Sequence, residues 1–432
     1  MTFRNRQLKS FDECAYLVRD SVLPKEAIGS PYIGLEHIGE GTLSLADHGR
    51  AENVKSVKSR FQRGDILFGK LRPYFRKVIR APFNGVCSTD IWVVRARQGV
   101  DQGFLFYCMS SPEFIEFSTR GSEGTKMPRA KWEFVSKFKI GLPPLPEQRA
   151  IAHILGSLDD KIELNRRMNE TLEQMARALF KAWFVDFEPV RAKMEGRWKR
   201  GQSLPGLPAQ LYDLFPNRLV DSKLGKIPEG WNAVPLAEII DINPPRRLRK
   251  GCMAPYLDMA NMPIRIHTPD ELVIRPFTSG VRFINGDTLL ARITPCFENG
   301  KAAFVDFLQE GQVGWGSTEY IVLRPKPSLP EEFAYYLARS QDFRKFAMQC
   351  MTGTSGRQRV QTEALLHYML VSPPESIAKV FGRVAKQVLM KISVAVKECR
   401  SLSTLRDMLL PKLVRGEIRV KDLKHFSKEF GL

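Results

Sequence analysis

The sequence predicts an α+β protein formed by tandem duplication, in which two mixed α/β domains are separated by two long helices paired as an antiparallel coiled coil. Three observations support this prediction. Residues 142–190 carry apolar side chains at alternating steps of four and three, and residues 377–409 repeat the same rhythm. The segments that precede these two stretches also match each other in sequence. Alternating steps of four and three are typical of a coiled-coil seam.

The first long helix is predicted to begin at Glu147, because Pro143, Pro144 and Pro146 disfavour helix before it. The seam positions are Ile151, Leu155, Leu158, Ile162, Asn165, Asn169, Leu172, Ala176, Leu179 and Trp183. Charged residues occupy the other faces: Asp159, Asp160, Lys161, Glu163, Arg166, Arg167, Glu170, Glu173 and Arg177. A helix with this pattern needs one partner alongside it.

The second long helix is the predicted partner. It follows Pro373 and Pro374, and we expect Pro411 to end it. Its predicted seam is Ile377, Phe381, Val384, Val388, Lys391, Ala395, Glu398, Leu402, Leu405 and Leu409. At 1.5 Å per residue, each seam predicts a rod of roughly 45 to 50 Å.

The two domains are predicted from an internal repeat with two registers. Residues 60–75 (RFQRGDILFGKLRPYF) match residues 282–297 (RFINGDTLLARITPCF) at an offset of 222. Farther on, an offset of 229 aligns Ser88-Thr89-Asp90 with Ser317-Thr318-Glu319, Tyr107 with Tyr336, Ser111 with Ser340, Gly124-Thr125 with Gly353-Thr354, and Pro144 with Pro373. One loop insertion explains the change of offset.

These patterns predict six segments along the chain. They are a first domain (1–141), a first long helix (142–190), a basic linker rich in Pro and Gly (191–225), a second domain (226–372), a second long helix (373–418) and a basic C-terminal tail (419–432).

The charge balance indicates a polyanionic partner. The chain has 66 Lys and Arg against 47 Asp and Glu, a net charge of +19, and such a field attracts nucleic acid. The sequence has no apolar stretch of about 18 residues and no signal-peptide core, so we expect no membrane segment and a cytoplasmic location. Seven scattered cysteines without a C-x-x-C pair predict reduced thiols rather than disulfides or a zinc site.

No motif predicts catalysis, and we expect no catalytic or metal-binding residues. Asn243-Pro244-Pro245 is similar to the N-P-P-aromatic element of amino-methyltransferases, but Arg246 replaces the aromatic residue. Gly64, Gly69 and Lys70 fit G-x-x-x-x-G-K, but the Ser or Thr that binds Mg²⁺ is replaced by Leu71. The six histidines lack metal-ligand spacing.

Candidate DNA-binding residues lie in basic and polar loops that occur in both copies of the repeat. In the first copy they are Lys70, Arg72, Tyr74, Arg76, Lys77, Arg120, Ser122, Thr125, Lys126 and Arg129. In the second they are Arg292, Thr294, Asn299, Lys301, Thr354, Ser355, Arg357, Gln358 and Arg359. Arg, Lys, Gln and Asn suit base edges, whereas Ser, Thr and glycine-turn amides suit phosphates. Because the loops match in position but not in side chains, we predict an asymmetric two-part DNA target, with the helices setting the distance between its halves.

The order of elements resembles the specificity subunit of type I restriction-modification systems across nearly the whole chain. The resemblance depends on L-P-P-L-P-E-Q at residues 142–148, G-T at 124 and 353, and G-D-x-L at 64 and 286. The chain departs from it at the second junction, VSPPESIAKV, and lacks an opening P-x-G-W in the first domain.

The resemblance implies two target recognition domains, each reading half of a bipartite site in double-stranded DNA. It implies that the helices dock methyltransferase (modification) subunits, two of them, and that a restriction subunit supplies translocase and nuclease activities. The methyl donor, Mg²⁺ and ATP would then belong to these partners and not to this chain. Docking is expected at Pro144, Glu147, Gln148 and Pro373. Two alternatives remain open at this stage: a self-sufficient DNA methyltransferase or nuclease, and an adaptor that does not bind DNA.

Overall fold

A computed structural model describes residues 6–354 and 356–420. The chain divides into two compact units. Unit 1 comprises residues 1–164 and 399–432, and unit 2 comprises residues 165–398. The two long helices contribute residues to both units, so unit 1 combines two separate segments of the sequence, whereas unit 2 is one continuous segment.

Unit 1 is a mixed α/β structure. Its strands are β1 (Gln7–Ser10), β2 (Ala15–Leu17), β3 (Ser21–Val22), β4 (Pro31–Ile33), β5 (Gly49–Arg50), β6 (Lys58–Phe61), β7 (Ile66–Gly69), β8 (Val78–Arg80), β9 (Gly85–Cys87), β10 (Ile91–Ala96), β11 (Ser122–Glu123), β12 (Arg129–Ala130) and β13 (Lys139–Leu142). Its short helices are α1 (Phe11–Cys14), α2 (Gln102–Ser110), α3 (Pro112–Arg120) and α4 (Trp132–Val135). The larger sheets have the strand orders β2-β10-β7-β8 and β3-β6-β9-β4-β5, and β1 pairs with β13 and β11 with β12.

Unit 2 repeats much of this order. After the long helix α5 (Leu145–Phe184), its short helices are α6 (Glu188–Met194), α7 (Leu236–Ile239), α8 (Glu332–Arg339), α9 (Gln341–Gln349) and α10 (Thr362–Leu365). Its strands are β14 (Leu219–Ser222), β15 (Gly225–Pro228), β16 (Asn232–Pro235), β17 (Ile240–Ile242), β18 (Met253–Leu257), β19 (Val273–Pro276), β20 (Val281–Phe283), β21 (Thr288–Ala291), β22 (Ala302–Phe304), β23 (Gly314–Gly316), β24 (Tyr320–Pro325), β25 (Met351–Thr352), β26 (Arg359–Val360) and β27 (Met369–Ser372). The sheets β17-β24-β21-β22, β16-β27 and β25-β26 have direct counterparts in unit 1, and a further sheet has the order β19-β18-β23-β20.

The repeated G-D-x-L motif is structural in both units. Gly64 and Gly286 adopt left-handed backbone angles, φ +91° and +85°, which glycine accommodates without a side-chain clash. The Asp65 carboxylate accepts the Gln62 N–H at 2.7 Å and pairs with Arg95. In unit 2, Asp287 accepts the Ile284 N–H at 2.9 Å and pairs with Arg246 and Arg324. Each aspartate thus fixes the turn that leads into a buried strand.

The second offset of the repeat grows by one residue inside a hairpin. β11 and β25 are offset by 229, whereas β12 and β26, and the starts of the two long helices, are offset by 230. Pro144 therefore corresponds to Pro374 rather than to Pro373. The carbonyl of Pro144 accepts the Gln148 N–H at 3.1 Å, and the carbonyl of Pro374 accepts the Ala378 N–H at 3.0 Å. The extra residue lies in the β25–β26 turn.

The two long helices are α5 (Leu145–Phe184) and α11 (Glu375–Arg415). In unit 1, the Asp159 carboxylate of α5 contacts Arg406 of α11, and the Ile162 carbonyl lies 3.7 Å from the Cys399 sulfur. In unit 2, the Asn165 side chain donates to Glu398 at 2.8 Å. Rising numbers on α5 meet falling numbers on α11, so within each unit the helices run antiparallel.

The predicted seam of α5 agrees with the burial of this helix, with one exception. Seven of its ten positions are buried and the other three are partly buried. Glu173, which we expected to face solvent, is fully buried and accepts the Tyr335 hydroxyl at 2.8 Å. The helix also begins two residues before Glu147, because proline is tolerated in the first turn, where no intrahelical N–H donor is needed.

The predicted seam of α11 is confirmed in part. Three of its positions are buried (Ile377, Phe381 and Ala395), three are partly buried (Val388, Leu402 and Leu409), and four are exposed (Val384, Lys391, Glu398 and Leu405). Buried residues of α11 outside the predicted seam include Ala378, Ala385, Leu389, Ile392, Val396, Arg406, Leu410 and Leu413. The prediction that Pro411 ends the helix is also wrong, because α11 continues to Arg415. Proline has no N–H to donate to the carbonyl four residues earlier, so α11 continues past Pro411 with one backbone hydrogen bond fewer.

Residues 185–225 differ from the predicted helix end and extended linker. Helix α5 stops at Phe184, and Phe187 adopts a left-handed conformation, φ +55°, before α6 begins. Trp198 and Phe215 are 1% and 3% exposed and contact each other edge to face. The segment is therefore packed into the core of unit 2, together with Trp183 and Trp231.

Candidate DNA interface

Hairpin site 1 consists of the β7–β8 connection (residues 70–77) and the β11–β12 hairpin (residues 122–130) of unit 1. Two backbone bonds join these segments: the Ala130 N–H donates to the Lys70 carbonyl at 2.9 Å, and the Arg72 N–H donates to the Pro128 carbonyl at 2.7 Å. Gly124 in the hairpin has φ +104°, and a Cβ there would lie 3.2 Å from the Met127 oxygen. A glycine is therefore favoured at this turn.

Hairpin site 2 consists of the β21–β22 connection (residues 292–301) and the β25–β26 hairpin (residues 351–360) of unit 2. The same two backbone bonds occur, from the Val360 N–H to the Arg292 carbonyl at 2.9 Å and from the Thr294 N–H to the Gln358 carbonyl at 3.0 Å. Gly353 has φ +122°, matching Gly124. The two sites thus share a backbone frame. Lys70 and Arg292 match at the predicted offset of 222, whereas Ala130 and Val360 match at 230 rather than at the predicted 229.

An arginine and a carboxylate fasten each hairpin. Arg129 makes two hydrogen bonds to Asp90, at 2.8 and 3.2 Å, and Arg359 binds Glu319 in the same two-pronged way. These partners raise the pKa of both guanidinium groups. Sequence analysis aligned Asp90 with Glu319 but gave them no role in the site. The available signal was that both carboxylates follow a Ser-Thr pair at the same place in the repeat.

Several predicted residues present exposed side chains at the two sites. In site 1 and the adjoining end of α3, these are Tyr74, Arg120, Thr125 and Lys126. In site 2 they are Asn299, Thr354 and Arg357. Lys70, Arg72, Ser122, Arg292 and Gln358 are partly buried. Ser355 lies outside the described residues.

Other predicted residues are engaged in internal contacts. Arg76 donates to the Ser110 carbonyl at 2.8 Å and lies 3.2 Å from Asp407. The amine of Lys77 donates to the Leu35 carbonyl at 2.8 Å, and that of Lys301 donates to the Ala260 carbonyl at 3.1 Å. Thr294 is 7% exposed, and its hydroxyl accepts the Gln358 N–H at 3.0 Å. These side chains support the fold, and the structure gives them little access to a ligand.

The chemistry offered by the two sites is that of a polar, cationic surface. The amines of Lys70 and Lys126 have no carboxylate within 4 Å among residues 6–354 and 356–420, and the buried Nε atoms of Arg72 and Arg292 have no hydrogen-bond partner there. Guanidinium, ammonium and hydroxyl groups can donate to phosphates and to base edges. In the described part of the chain, no group of three or more His, Cys, Asp or Glu is placed to hold a metal ion.

The predicted docking residues have unlike environments. Pro144 is exposed, and Glu147 lies 2.7 Å from Arg6 with its side chain one-third exposed. Gln148 is 1% exposed: it accepts the Asp101 N–H at 2.8 Å and donates to the Pro143 carbonyl at 2.9 Å. Pro373 is buried. Gln148 therefore anchors the start of α5 rather than presenting itself to a partner. By the offset of 230, the position of Glu147 is taken by Ile377 and not by Glu375.

None of the helices in the described residues is both long and apolar enough to cross a membrane.

Comparisons with known proteins find the following. Residues 14–174 match a family model described as "Type I restriction modification DNA specificity domain". The chain is 26% identical over 423 residues to the type I restriction enzyme HindI specificity subunit of Haemophilus influenzae, covering 86% of this chain and 91% of that protein. It is 25% identical over 417 residues to the MjaIX specificity subunit of Methanocaldococcus jannaschii, covering 93% and 87%.

Among solved structures, the fold is similar to the S subunit of a type I restriction-modification system from M. genitalium. The match has a TM-score of 0.53 and 16% sequence identity, and it covers 96% of this chain and 98% of that one.

Proposed function

Because the chain belongs to the family of type I restriction-modification specificity subunits, we propose that it recognises an asymmetric two-part DNA target, with each hairpin site reading one half. The observation that carries this proposal is that the two sites share the same two backbone hydrogen bonds but carry different side chains. Lys70 and Arg292 occupy matching positions, as do Arg72 and Thr294, and the hairpin tips read GTKMP and GTSGRQ.

We infer a division of labour among the exposed groups. Lys126 at the tip of hairpin 1, and Arg357 and Gln358 at the tip of hairpin 2, carry the donors and acceptors that suit base edges. The hydroxyls of Thr125 and Thr354, and the turn amides beside Gly124 and Gly353, suit phosphates. Because Arg129 and Arg359 are already bound to carboxylates, their role is to hold the hairpins in shape. Of the residues predicted from sequence, Arg76, Lys77, Lys301 and Thr294 are the weakest candidates for DNA contact.

We also propose that the chain arose by tandem duplication and that α5 and α11 act as the spacer between two target recognition domains. The matching sheet orders and hairpin frames support the duplication. The antiparallel contacts within each unit support a coiled-coil arrangement. With 40 and 41 residues, each helix is about 60 Å long, longer than the 45 to 50 Å that the seams indicated.

The same helices are the proposed docking surface for two modification subunits. On the unit 2 part of α5, Met168 and Met175 are exposed, and on that of α11, Val384, Met390 and Val394 are exposed. Exposed apolar side chains along a helix are typical of a surface that a partner covers. Pro144 and Glu147 remain candidates for this contact. In this proposal the chain is non-catalytic, and methyl transfer, ATP-driven translocation and cleavage belong to the modification and restriction subunits.

Genome-wide methylation mapping tests the recognition proposal. The chain is co-expressed with a candidate modification subunit, and a strain that lacks this chain serves as the control. Adenine methylation confined to one split motif with two unlike halves is the expected result. If a complex forms with an active modification subunit and yet no methylation depends on this chain, the proposal is wrong. DNA cleavage or methylation by the purified chain alone would contradict the non-catalytic assignment.

A further inference from the structure

A cavity of about 320 Å³ lies within unit 2, between the C-terminal half of α5 and the junction of α8 and α9. Its lining includes three cationic side chains, Arg177, Lys181 and Arg339, against one carboxylate, Asp342. Lys181 is already paired with Asp186. The positive charge available to a ligand therefore comes from the two arginines.

The arginines at this cavity donate their hydrogen bonds to backbone carbonyl groups rather than to carboxylates. Arg339 is 3% exposed and donates to the Ile266 and Ala302 carbonyls, both at 2.8 Å. Arg177 donates to the Arg339 carbonyl at 3.3 Å. Within the described ranges, neither has a carboxylate within 4 Å. Carbonyl partners satisfy N–H donors without neutralising the guanidinium charge. The buried carboxylates of Glu173 and Glu332 act on Tyr336 together with these arginines and offset part of that charge.

A third guanidinium adds to this positive region. Arg344 donates to the Phe297 and Glu298 carbonyls at 3.0 and 2.9 Å. Its pKa is lowered, first by burial and then by the positive charges of Arg339 and Arg177. Three guanidinium groups therefore lie close enough to repel one another.

Two residues that line the cavity each have a buried polar atom without a hydrogen-bond partner in the described structure. These atoms are the hydroxyl of Tyr336, which is 1% exposed, and Nε of Arg339. Burial raises the pKa of the Tyr336 hydroxyl well above its usual value, so the group is a hydrogen-bond donor at neutral pH. Buried donors are normally satisfied, and an unsatisfied one indicates a missing acceptor.

The N-terminus of α9 opens at the same place. Its nine residues begin at Gln341, and no side chain caps its first turn, although Ser340 stands at the cap position. The first N–H groups of a helix have no intrahelical acceptor and carry partial positive charge. They add directional donors to the charge of the arginines.

In the corresponding region of unit 1, carboxylates accept from the tyrosine and arginine side chains. The Tyr107 hydroxyl, which corresponds to that of Tyr336, donates to Asp159 at 2.7 Å. The carbonyl of Ser110, which corresponds to that of Arg339, accepts from Arg76, and Arg76 pairs with Asp407. Counted from the start of each long helix, Arg177 occupies the position of Asp407. Unit 1 supplies its own acceptors, and unit 2 replaces one of them with a cation.

We propose that the unit 2 cavity binds a phosphate group, held by Arg177, the Tyr336 hydroxyl and the free N–H groups at the start of α9. Arginine and helix N-termini are recurrent phosphate ligands. The phosphate belongs either to a small phosphate compound or to a DNA backbone, which offer the same oxygen acceptors. The inference needs no sequence-specific recognition, so it stands or fails separately from the proposed function.

The test is calorimetric titration of the full chain with inorganic phosphate, in chloride buffer of matched ionic strength. R177Q is expected to weaken phosphate binding by about tenfold or more, and Y336F by about twofold to tenfold, as for charged and neutral hydrogen bonds. The control is K345Q, on the exposed face of α9, which makes the same charge change without lining the cavity and is expected to leave the affinity unchanged.

Absence of saturable phosphate binding overturns the proposal, and so does unchanged affinity in both R177Q and Y336F. Folding is followed independently: Y336F removes a hydroxyl without a partner, so its thermal stability without phosphate is expected to match or exceed that of the wild type. If the phosphate comes from DNA, R177Q also weakens DNA binding relative to K345Q, and free phosphate competes with DNA. If it comes from a small compound, the two variants bind DNA equally while R177Q loses phosphate binding.

Discussion

The pairing of α5 with α11 in unit 1 depends on a buried ion pair, and breaking it has a predictable effect. The Arg406 side chain is 2% exposed, and its Nη1 lies 2.7 Å from Asp159. The other oxygen of Asp159 accepts the Tyr107 hydroxyl at 2.7 Å. Asp159→Ala therefore removes the acceptor of a buried cation and that of a buried hydroxyl together.

The expected loss in free energy of unfolding is about 3 kcal/mol, the lower end of the 3–5 kcal/mol range for breaking a buried ion pair. The lower end applies because Arg406 keeps a second carboxylate, Asp407, at 3.1 Å. Urea unfolding followed by circular dichroism measures the change. The matched control is Asp160→Ala, which removes an exposed carboxylate one residue along the helix and should stay within about 0.5 kcal/mol of the wild type.

The double variant Asp159→Leu with Arg406→Met sharpens this test. Replacing both charges with apolar side chains leaves no unpaired buried ion, so the double variant should be more stable than Asp159→Ala. If Asp159→Ala and Asp160→Ala lose equal stability, the contact does not hold the helix pair and the reasoning fails.

Three further predictions concern the hairpin sites and the spacer. Gly353→Ala should strain the β25–β26 hairpin, because at φ +122° the added Cβ would lie 3.0 Å from the Arg357 oxygen. We expect faster amide hydrogen exchange in residues 351–360 of this variant and no such change in the helical control Gly156→Ala. Equal exchange in the two variants would contradict the prediction. Arg357→Ala should relax specificity at one position of one half-site, with a loss of about 1–3 kcal/mol in binding free energy for the correct base. Methylation mapping measures this change. A uniform loss of methylation over both halves would instead assign Arg357 to general charge attraction. Removing residues 163–169 and 394–400 together preserves the antiparallel register and shortens each helix by about 10 Å. The DNA spacer between the two half-sites should then shrink by about three base pairs. An unchanged spacer would refute the proposal that the helices set this distance.

The sequence predicted the buried face of α5 well and that of α11 only in part, for a physical reason. Both Ile377 and Ala378 can begin a four-three series of mostly apolar residues. The series from Ala378 leads to Arg406, and an unpaired arginine is unfavourable in a core. Asp159 on the other helix resolves this conflict. That partner is 247 residues away in sequence, and the helical pattern alone does not reveal it.

The two loops of the candidate interface were predictable as a matching pair, but their hairpin structure and side-chain roles were not. The internal repeat aligned them because Gly124 and Gly353, each at a left-handed turn, recur at the offset of 229. Arg129 and Lys126 look equivalent in sequence, yet one binds Asp90 and the other is exposed. Only the tertiary structure separates a cation that fastens a hairpin from one that can contact a ligand. The same holds for Gln148, whose partners come from a distant loop.

The central claim is that each hairpin site reads its own half of one target, and a hairpin exchange tests it most directly. Residues 124–128 of hairpin 1 are replaced by the sequence of residues 353–358, and adenine methylation is mapped in the presence of the modification subunit. The account predicts that one half of the split motif changes or loses definition while the other half keeps its sequence. A motif that stays the same in both halves, or that changes in both, would contradict it.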